Sequence, residues 1–443
     1  MFAFFIREIC DSINSNMKIS YNWLKWYVPE APAPEKLAEI FNYHLCEVET
    51  VEKIGAGKDE DSILDLKILP NRAHDLLSHQ GVARELASLL DIKYADPTAL
   101  YKIPESKPTN LKIEINTNKS RRYMGRIVKN VKVGPSPEWV VKHLESIGQR
   151  SVNNVVDAAN IVMFDCGQPT HVFDLDKING SIMVREAKDG EELTTLDNKE
   201  LKLKSSNMVI ADSKNVLAVA GIKGGKIAEV DKNTKNIILE VANFNPTSVR
   251  KTAQALHIFT DARKRFENDL SPELGPYAMR EFSALILEMC PEARFEDVAD
   301  IYPEKQEVRK LSFSVEKISK ILGVDISDKE VEDVLKRYLF KYINEKRMFE
   351  IVVPPMRLDL VIEEDMAEEI VRILGYDKVK GNLPKINFKP KVNETYAKIY
   401  WARNKLLSDG YSEVMTYTFC DKGEVEVQNS ASDKKFLRTN LSD

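Results

Sequence analysis

The sequence predicts an α+β chain of several domains, and three observations carry that reading. First, 443 residues with 43% hydrophobic composition hold enough apolar material for about three domains of roughly 150 residues each. Second, apolar runs of period two and period 3.6 interleave without the regular strand–helix alternation of a parallel α/β sheet. Third, two proline-rich stretches, PTALYKIPESKPTN (97–110) and GNLPKINFKPKVN (381–393), interrupt the periodic segments. The net charge of −5 argues against a general polyanion binder, so a nucleic-acid contact needs a local basic patch or a partner chain. The five cysteines are scattered and odd in number, which fits a reducing compartment and excludes a paired zinc motif. No apolar run approaches the ~20 residues of a membrane span, and MFAFFI is too short for a signal-peptide core. Met17 opens a plausible second start, so residues 1–16 are expected to be an extension.

In chain order, residues 17–100 form a helical N-terminal module. Residues 19–51 are expected to be helical, with Trp23, Leu24 and Tyr27 at helical spacing and a proline-rich turn before EKLAEIF. Two alternating runs flanking GAGKDED predict a hairpin, and PNRAHDLLSHQGVARELASLLD returns to helix with Leu76, Val82, Leu86 and Leu89 on its apolar side. Residues 111–299 read as one mixed domain. LKIEIN, SIMVREA, NMVIAD and NIILEVANF are its strands, PEWVVKHLESIG and PELGPYAMREFSALILEMC its helices, and AGIKGGK a tight turn. Residues 305–380 form a small winged-helix-like unit. Ser314 caps VEKISKIL, which stops at Gly323, and Ser327 with Glu330 makes a capping box. From about 395 to 443 a further domain begins, with a helix ending at Gly410 and the strand EVMTYTF.

Chemistry concentrates in few places. On a helix from Ile362 to Leu374, Met366, Ile370, Ile373 and Leu374 share one side, and Glu364, Asp365, Glu368, Glu369 and Arg372 share the other. The pattern favours a solvated face with a Glu368–Arg372 pair, and Asp359 as a helix cap. Against that, Asp365, Glu368 and Glu369 fall within about 100° of arc, one turn after Asp359, a convergence that suits Mg²⁺. Glu240 stands in an apolar strand, where a carboxylate is costly unless it is bonded. His171 has Asp174 nearby to satisfy it, and Thr260 suits a helix cap.

Together the segments MKISYNWLKWYV, LPNRAHDLLSHQGVARELASLL, RRYMGRIVKNVKVGPSPEW, GQRSVNNVVDAANIVMFDCGQPTHVFDLDKI, LEVANFNPTSVRKTAQALHIFTDARKRFE and VPPMRLDLVIEEDMAEEIVRILGY resemble the bacterial phenylalanyl-tRNA synthetase β subunit, in the family's order. The resemblance implies an (αβ)₂ assembly in a cytoplasmic setting, with ATP used on the α subunit to charge tRNA(Phe). It also implies an editing domain at 111–299 that hydrolyses Tyr-tRNA(Phe), because a phenylalanine pocket cannot strongly reject an added hydroxyl. The implied editing residues are Arg150, His171, Gly221, Glu240, Thr260 and Ala262, with Glu240 accepting a hydrogen bond from the tyrosine phenol. The implied Mg²⁺ ligands are Asp359, Asp365, Glu368 and Glu369. The chain departs from the family at Ala159, where a threonine is usual, and at Arg263, where a serine is usual. The tRNA-binding OB-fold usually inserted before the PNR segment is replaced by the GAGKDED hairpin. Residues 395–443 are expected to be the start of a synthetase-like antiparallel sheet with open strand edges. Two rivals share these residues: a stand-alone hydrolase of mischarged tRNA, and a non-catalytic scaffold.

Overall fold

The computed structural model describes residues 16–57, 60–96, 101–430 and 432–440. It divides into two compact units, 1–380 and 381–443. The expected extension lies outside the described residues except for Asn16, the first residue of a strand.

The N-terminal module opens with β1 (Asn16–Ser20), not with helix. Met17 and Ile19 alternate inward against the hairpin, and that period-two burial overrides the helical spacing that follows. Ser20 then caps α1 (Tyr21–Tyr27), accepting from the Trp23 amide at 3.1 Å. After α2 (Pro34–His44), the expected hairpin is present as β2 (Glu47–Ile54) and β3 (Asp61–Lys67), in the order β1-β3-β2. Residues 47–51, expected helical, are therefore strand. Helix α3 (His79–Leu90) begins at Ser78, whose hydroxyl accepts from Gly81 N.

The central region carries two sheets. The strands, in chain order, are β4 (Ser106–Lys107), β5 (Ile113–Ile115), β6 (Ser120–Lys129), β7 (Thr170–Asp174), β8 (Ile182–Glu186), β9 (Glu192–Thr194), β10 (Glu200–Lys202), β11 (Met208–Ala211), β12 (Val216–Val219), β13 (Lys223–Gly224), β14 (Asn236–Phe244), β15 (Arg294–Glu296) and β16 (Ala299–Ile301). One sheet runs β4-β15-β6-β14-β7 with β16 also on β6; the other runs β13-β12-β11-β8-β5. The helices are α4 (Glu138–Ser146), α5 (Asn154–Cys166), α6 (Pro246–Leu256), α7 (Asp261–Phe266) and α8 (Gly275–Met289). Strand β14 is buried on both faces. Ile237, Leu239 and Val241 join the core built on α5 and α8, while Ile238, Ala242 and Phe244 face the second sheet. By the same alternation, Glu240 faces the second sheet.

The 305–380 unit holds β17 (Lys310–Ser314), α9 (Val315–Leu322), α10 (Asp328–Arg337), β18 (Lys341–Glu345), β19 (Met348–Val352) and α11 (Glu363–Leu374), its sheet ordered β17-β19-β18. The Ser314 cap, the left-handed Gly323 stop and the Ser327–Glu330 capping box are all present. In unit 381–443, the expected helix is α12 (Glu394–Ser408). Most of EVMTYTF is not strand; only Phe419 enters a two-residue strand, Phe419–Cys420.

Candidate functional site

Glu240 on β14 lies directly across from His171 on β7 and from Gly125 on β6. Directly opposed residues in antiparallel strands project to the same face. His171 and Glu240 are therefore neighbours in the space between the two central sheets. Glu240 is 5% exposed, and burial pushes its carboxyl up to about 8. Burial also lowers His171 to about 4, so its imidazole is neutral near pH 7. The His171 ring meets Phe173 edge-on at 4.6 Å. A Cβ on Gly224 would stand 2.7 Å from His171 Cε1, so only glycine lets β13 approach that ring.

Gly221 takes a left-handed φ of 71° in the turn before β13, where the sequence predicts a tight turn. The Thr260 hydroxyl donates to the Ile222 carbonyl at 3.0 Å and accepts from Arg263 N at 3.1 Å. It thus caps α7, as its sequence position suggested, and ties that helix to the Gly221 turn. A continuous line results: Thr260, the Gly221–Gly224 turn, His171, Glu240. Ala262 is half-buried against the first core. Arg150 is exposed; its neighbour Gln149 donates to Asp261 at 3.3 Å, which anchors the Arg150 segment to α7. Asp174 does not serve His171; it accepts from Thr234 at 2.6 Å. Arg263 is buried, pairs with Glu267 at 2.8 Å and stacks on Phe259 at 4.4 Å, so it braces the loop before Thr260. Ala159 offers its carbonyl to the Thr170 hydroxyl at 3.2 Å.

Asp359, Asp365, Glu368 and Glu369 line one cavity of about 300 Å³. Two of the four are already engaged. Asp359 accepts from Arg357 Nη2 at 2.7 Å and bonds His74 Nε2 at 3.0 Å. Glu369 accepts from Arg372 at 2.9 Å and lies 3.1 Å from Arg357 and 3.6 Å from Arg72. The arginines reach further: Arg72 pairs with Asp75 at 2.8 Å and Glu85 at 2.7 Å, and Arg372 also pairs with Glu85. Burial alone would raise the Asp359 carboxyl, but the bonds from His74 and Arg357 hold it well below the usual range. Asp359 is not the helix cap expected; instead the Asp365 carboxylate accepts from Val361 N and Ile362 N, each at 2.8 Å. The expected Glu368–Arg372 pair is absent, because Arg372 turns inward to Glu85 and Glu369. Among the described residues, no group of three or more His, Cys, Asp or Glu is spaced to hold a metal ion. With Asp359 and Glu369 committed to guanidinium groups, the four carboxylates do not fit a Mg²⁺ set in this arrangement.

Tyr123, Gly224, Arg72 and Arg357 were passed over in the sequence, and Arg372 was given Glu368 as its partner, because their roles appear only when distant strands and helices meet. Tyr123 lies in RRYMGR, where alternation could have placed it inward.

Two family models match the chain, a B3/4 domain over residues 119–291 and a tRNA synthetase B5 domain over 311–376. Curated relatives are phenylalanine--tRNA ligase beta subunits. That of Carboxydothermus hydrogenoformans is 38% identical over 402 residues, covering 88% of this chain and 47% of the relative. That of Fusobacterium nucleatum is 36% identical, covering 86% and 48%. That of Clostridium tetani is 40% identical, covering 73% and 42%. The chain spans about half the length of the curated relatives it matches. A crystal structure of an N-terminal fragment of the phenylalanyl-tRNA synthetase beta-subunit from Pyrococcus horikoshii aligns with TM-score 0.47 and 16% identity, covering 82% of this chain and 100% of that one.

Proposed function

From this kinship with phenylalanine--tRNA ligase β subunits, we propose that the chain serves as such a subunit. It supports ATP-dependent charging of tRNA(Phe) on a separate α subunit, in an (αβ)₂ assembly in the cytoplasm. We further propose that the Glu240–His171 face hydrolyses Tyr-tRNA(Phe). One observation supports the editing reading above the others: a buried carboxyl group, without a cationic partner, set abreast of a neutral histidine.

In the reaction, water adds to the ester carbonyl joining tyrosine to the terminal ribose. The ester C–O bond breaks, and tyrosine and tRNA leave. Neutral His171 orients the water and can accept its proton. Glu240 accepts the phenol hydrogen bond. A phenylalanyl end leaves that polar group unpaired, at a cost of about 1–3 kcal/mol. Thr260 has its hydroxyl committed to Ile222 and Arg263, so its part is to hold the Gly221 turn in place. Exposed Arg150 contacts a phosphate or ribose of the tRNA end. Asp359 and Glu369 are engaged by arginines, so no step of the charging reaction runs through a Mg²⁺ at these carboxylates.

Replacing Glu240 by alanine should lower hydrolysis of Tyr-tRNA(Phe) by roughly 5- to 150-fold, the equivalent of that 1–3 kcal/mol. Unchanged hydrolysis would sink the assigned role. Co-purification with an α chain checks the subunit assignment separately.

A further inference from the structure

Strand β6 alternates like β14. Met124 and Val128 enter the core on α5 and α8, while Tyr123 and Ile127 face the second sheet. Tyr123 pairs with Ala242, two residues along β14 from Glu240, so its ring projects to the same face as that carboxyl. The ring is fully buried. A buried tyrosine hydroxyl normally finds a partner, and a phenylalanine would otherwise fill the same space without penalty. Here the Tyr123 hydroxyl has no aligned hydrogen-bond partner among the described residues, and neither does Oε2 of Glu240. The two groups lie within hydrogen-bonding reach and shift each other's titration, though neither atom has an aligned partner.

A donor and an acceptor thus sit side by side, both buried and neither in an aligned hydrogen bond. Each is destabilising while it remains so. A phenol resolves both at once, because its oxygen can donate one hydrogen bond and accept another. Resting on the reading that this face receives the tyrosyl end, we propose that Tyr123 and Glu240 form a two-point reader of the para-hydroxyl. The phenol donates to Oε2 of Glu240 and accepts from the Tyr123 hydroxyl. Tyr123 is then a specificity residue, and the ligand class is an aromatic aminoacyl end bearing a para-hydroxyl. A phenylalanyl end meets two unpaired groups instead of one, which sharpens the discrimination a lone carboxyl would give.

The test uses the full 443-residue chain, wild type, Tyr123→Phe and Glu240→Gln, with Tyr-tRNA(Phe) and Phe-tRNA(Phe) as substrates. Tyr123→Phe removes one oxygen and keeps the ring. It should lower kcat/KM for Tyr-tRNA(Phe) about tenfold and leave that for Phe-tRNA(Phe) unchanged. The melting temperature should hold or rise, because an unpaired buried hydroxyl is gone. An unchanged Tyr:Phe ratio overturns the two-point reader, as does an equal loss on both substrates. A clear drop in melting temperature also overturns it, since the hydroxyl would then be satisfied inside the protein. Glu240→Gln separates the two levels. If it loses Tyr-tRNA hydrolysis while Tyr123→Phe keeps its discrimination, the site stands and Tyr123 only packs. If Glu240→Gln matches wild type, the editing face itself is wrong, and the reader falls with it.

Discussion

Glu240 shows how one residue's chemistry follows from its strand. NIILEVANF is apolar on both sides of it, and that flanking run was enough to expect burial. What the run could not give was the face. Only pairing with β6 and β7 decides that His171 and Tyr123 are its neighbours. Burial without a cation raises its folded pKa from the ordinary 4.5 to about 8. A carboxyl raised in the folded state binds its proton more tightly there than in the unfolded chain. Its stabilising share is therefore full below about 4.3 and is lost as pH rises through about 8. Glu240→Gln cannot ionise and should remove that loss. By urea denaturation, the variant should exceed wild type at pH 9 by on the order of 2–4 kcal/mol, and the gap should close by pH 5. An equal gap at both pH values would mean that Glu240 is ionised in the fold.

At the scale of elements, helix existence, caps and apolar faces were largely legible. Ser327 with Glu330, Gly323 after Leu322, and Met366 with Ile370 lie as the spacing required. Helix α11 also shows the limit. A helical wheel gives angles, not what packs against them, and a polar side was read as a solvent side. Glu369 and Arg372 are instead 3% and 5% exposed, turned toward α3, where Glu85 waits 287 residues away in sequence. The helix has two buried faces, one apolar and one ionic. Removing one partner of a buried ion network leaves the others uncompensated. Arg372→Leu should thus cost on the order of 3–5 kcal/mol by denaturant titration, with Glu85 left to Arg72 alone and Glu369 to Arg357 and Arg72. Glu368 is exposed and makes no hydrogen bond or ion pair among the described residues, so Glu368→Ala should stay within about 0.5 kcal/mol of wild type. Comparable losses for both would restore the solvated-face account.

Across residues 16–380 the modules meet through polar groups that no local pattern announces. Asp165 on α5 accepts from Trp23 Nε1 at 2.7 Å and from the Tyr27 hydroxyl, both on α1 of the N-terminal module. The partners are 142 and 138 residues apart in sequence. Glu281 on α8 stands beside Asp165; the two are 1% and 3% exposed. Burial raises both carboxyls, and the Asp165 charge drives Glu281 up further. The surrounding side chains supply Trp23 and Tyr27 from α1, Cys166 from α5, and Tyr277 and Asp96, none of them cationic. The acid pair therefore keeps a proton in the fold, and its stabilising share falls as pH rises above the ordinary carboxyl range. Glu281→Gln should reduce the loss of stability between pH 6 and pH 9 by on the order of 1–3 kcal/mol, read by urea titration with Trp23 fluorescence. Glu281 and Glu240 serve opposite faces of β14 and share no partner, so their effects should add within about 0.5 kcal/mol. The double Glu240→Gln, Glu281→Gln chain should then lose stability least of all between those pH values. A pH slope left unchanged by Glu281→Gln would mean that the pair is ionised, and that the seam between the modules rests on its apolar contacts.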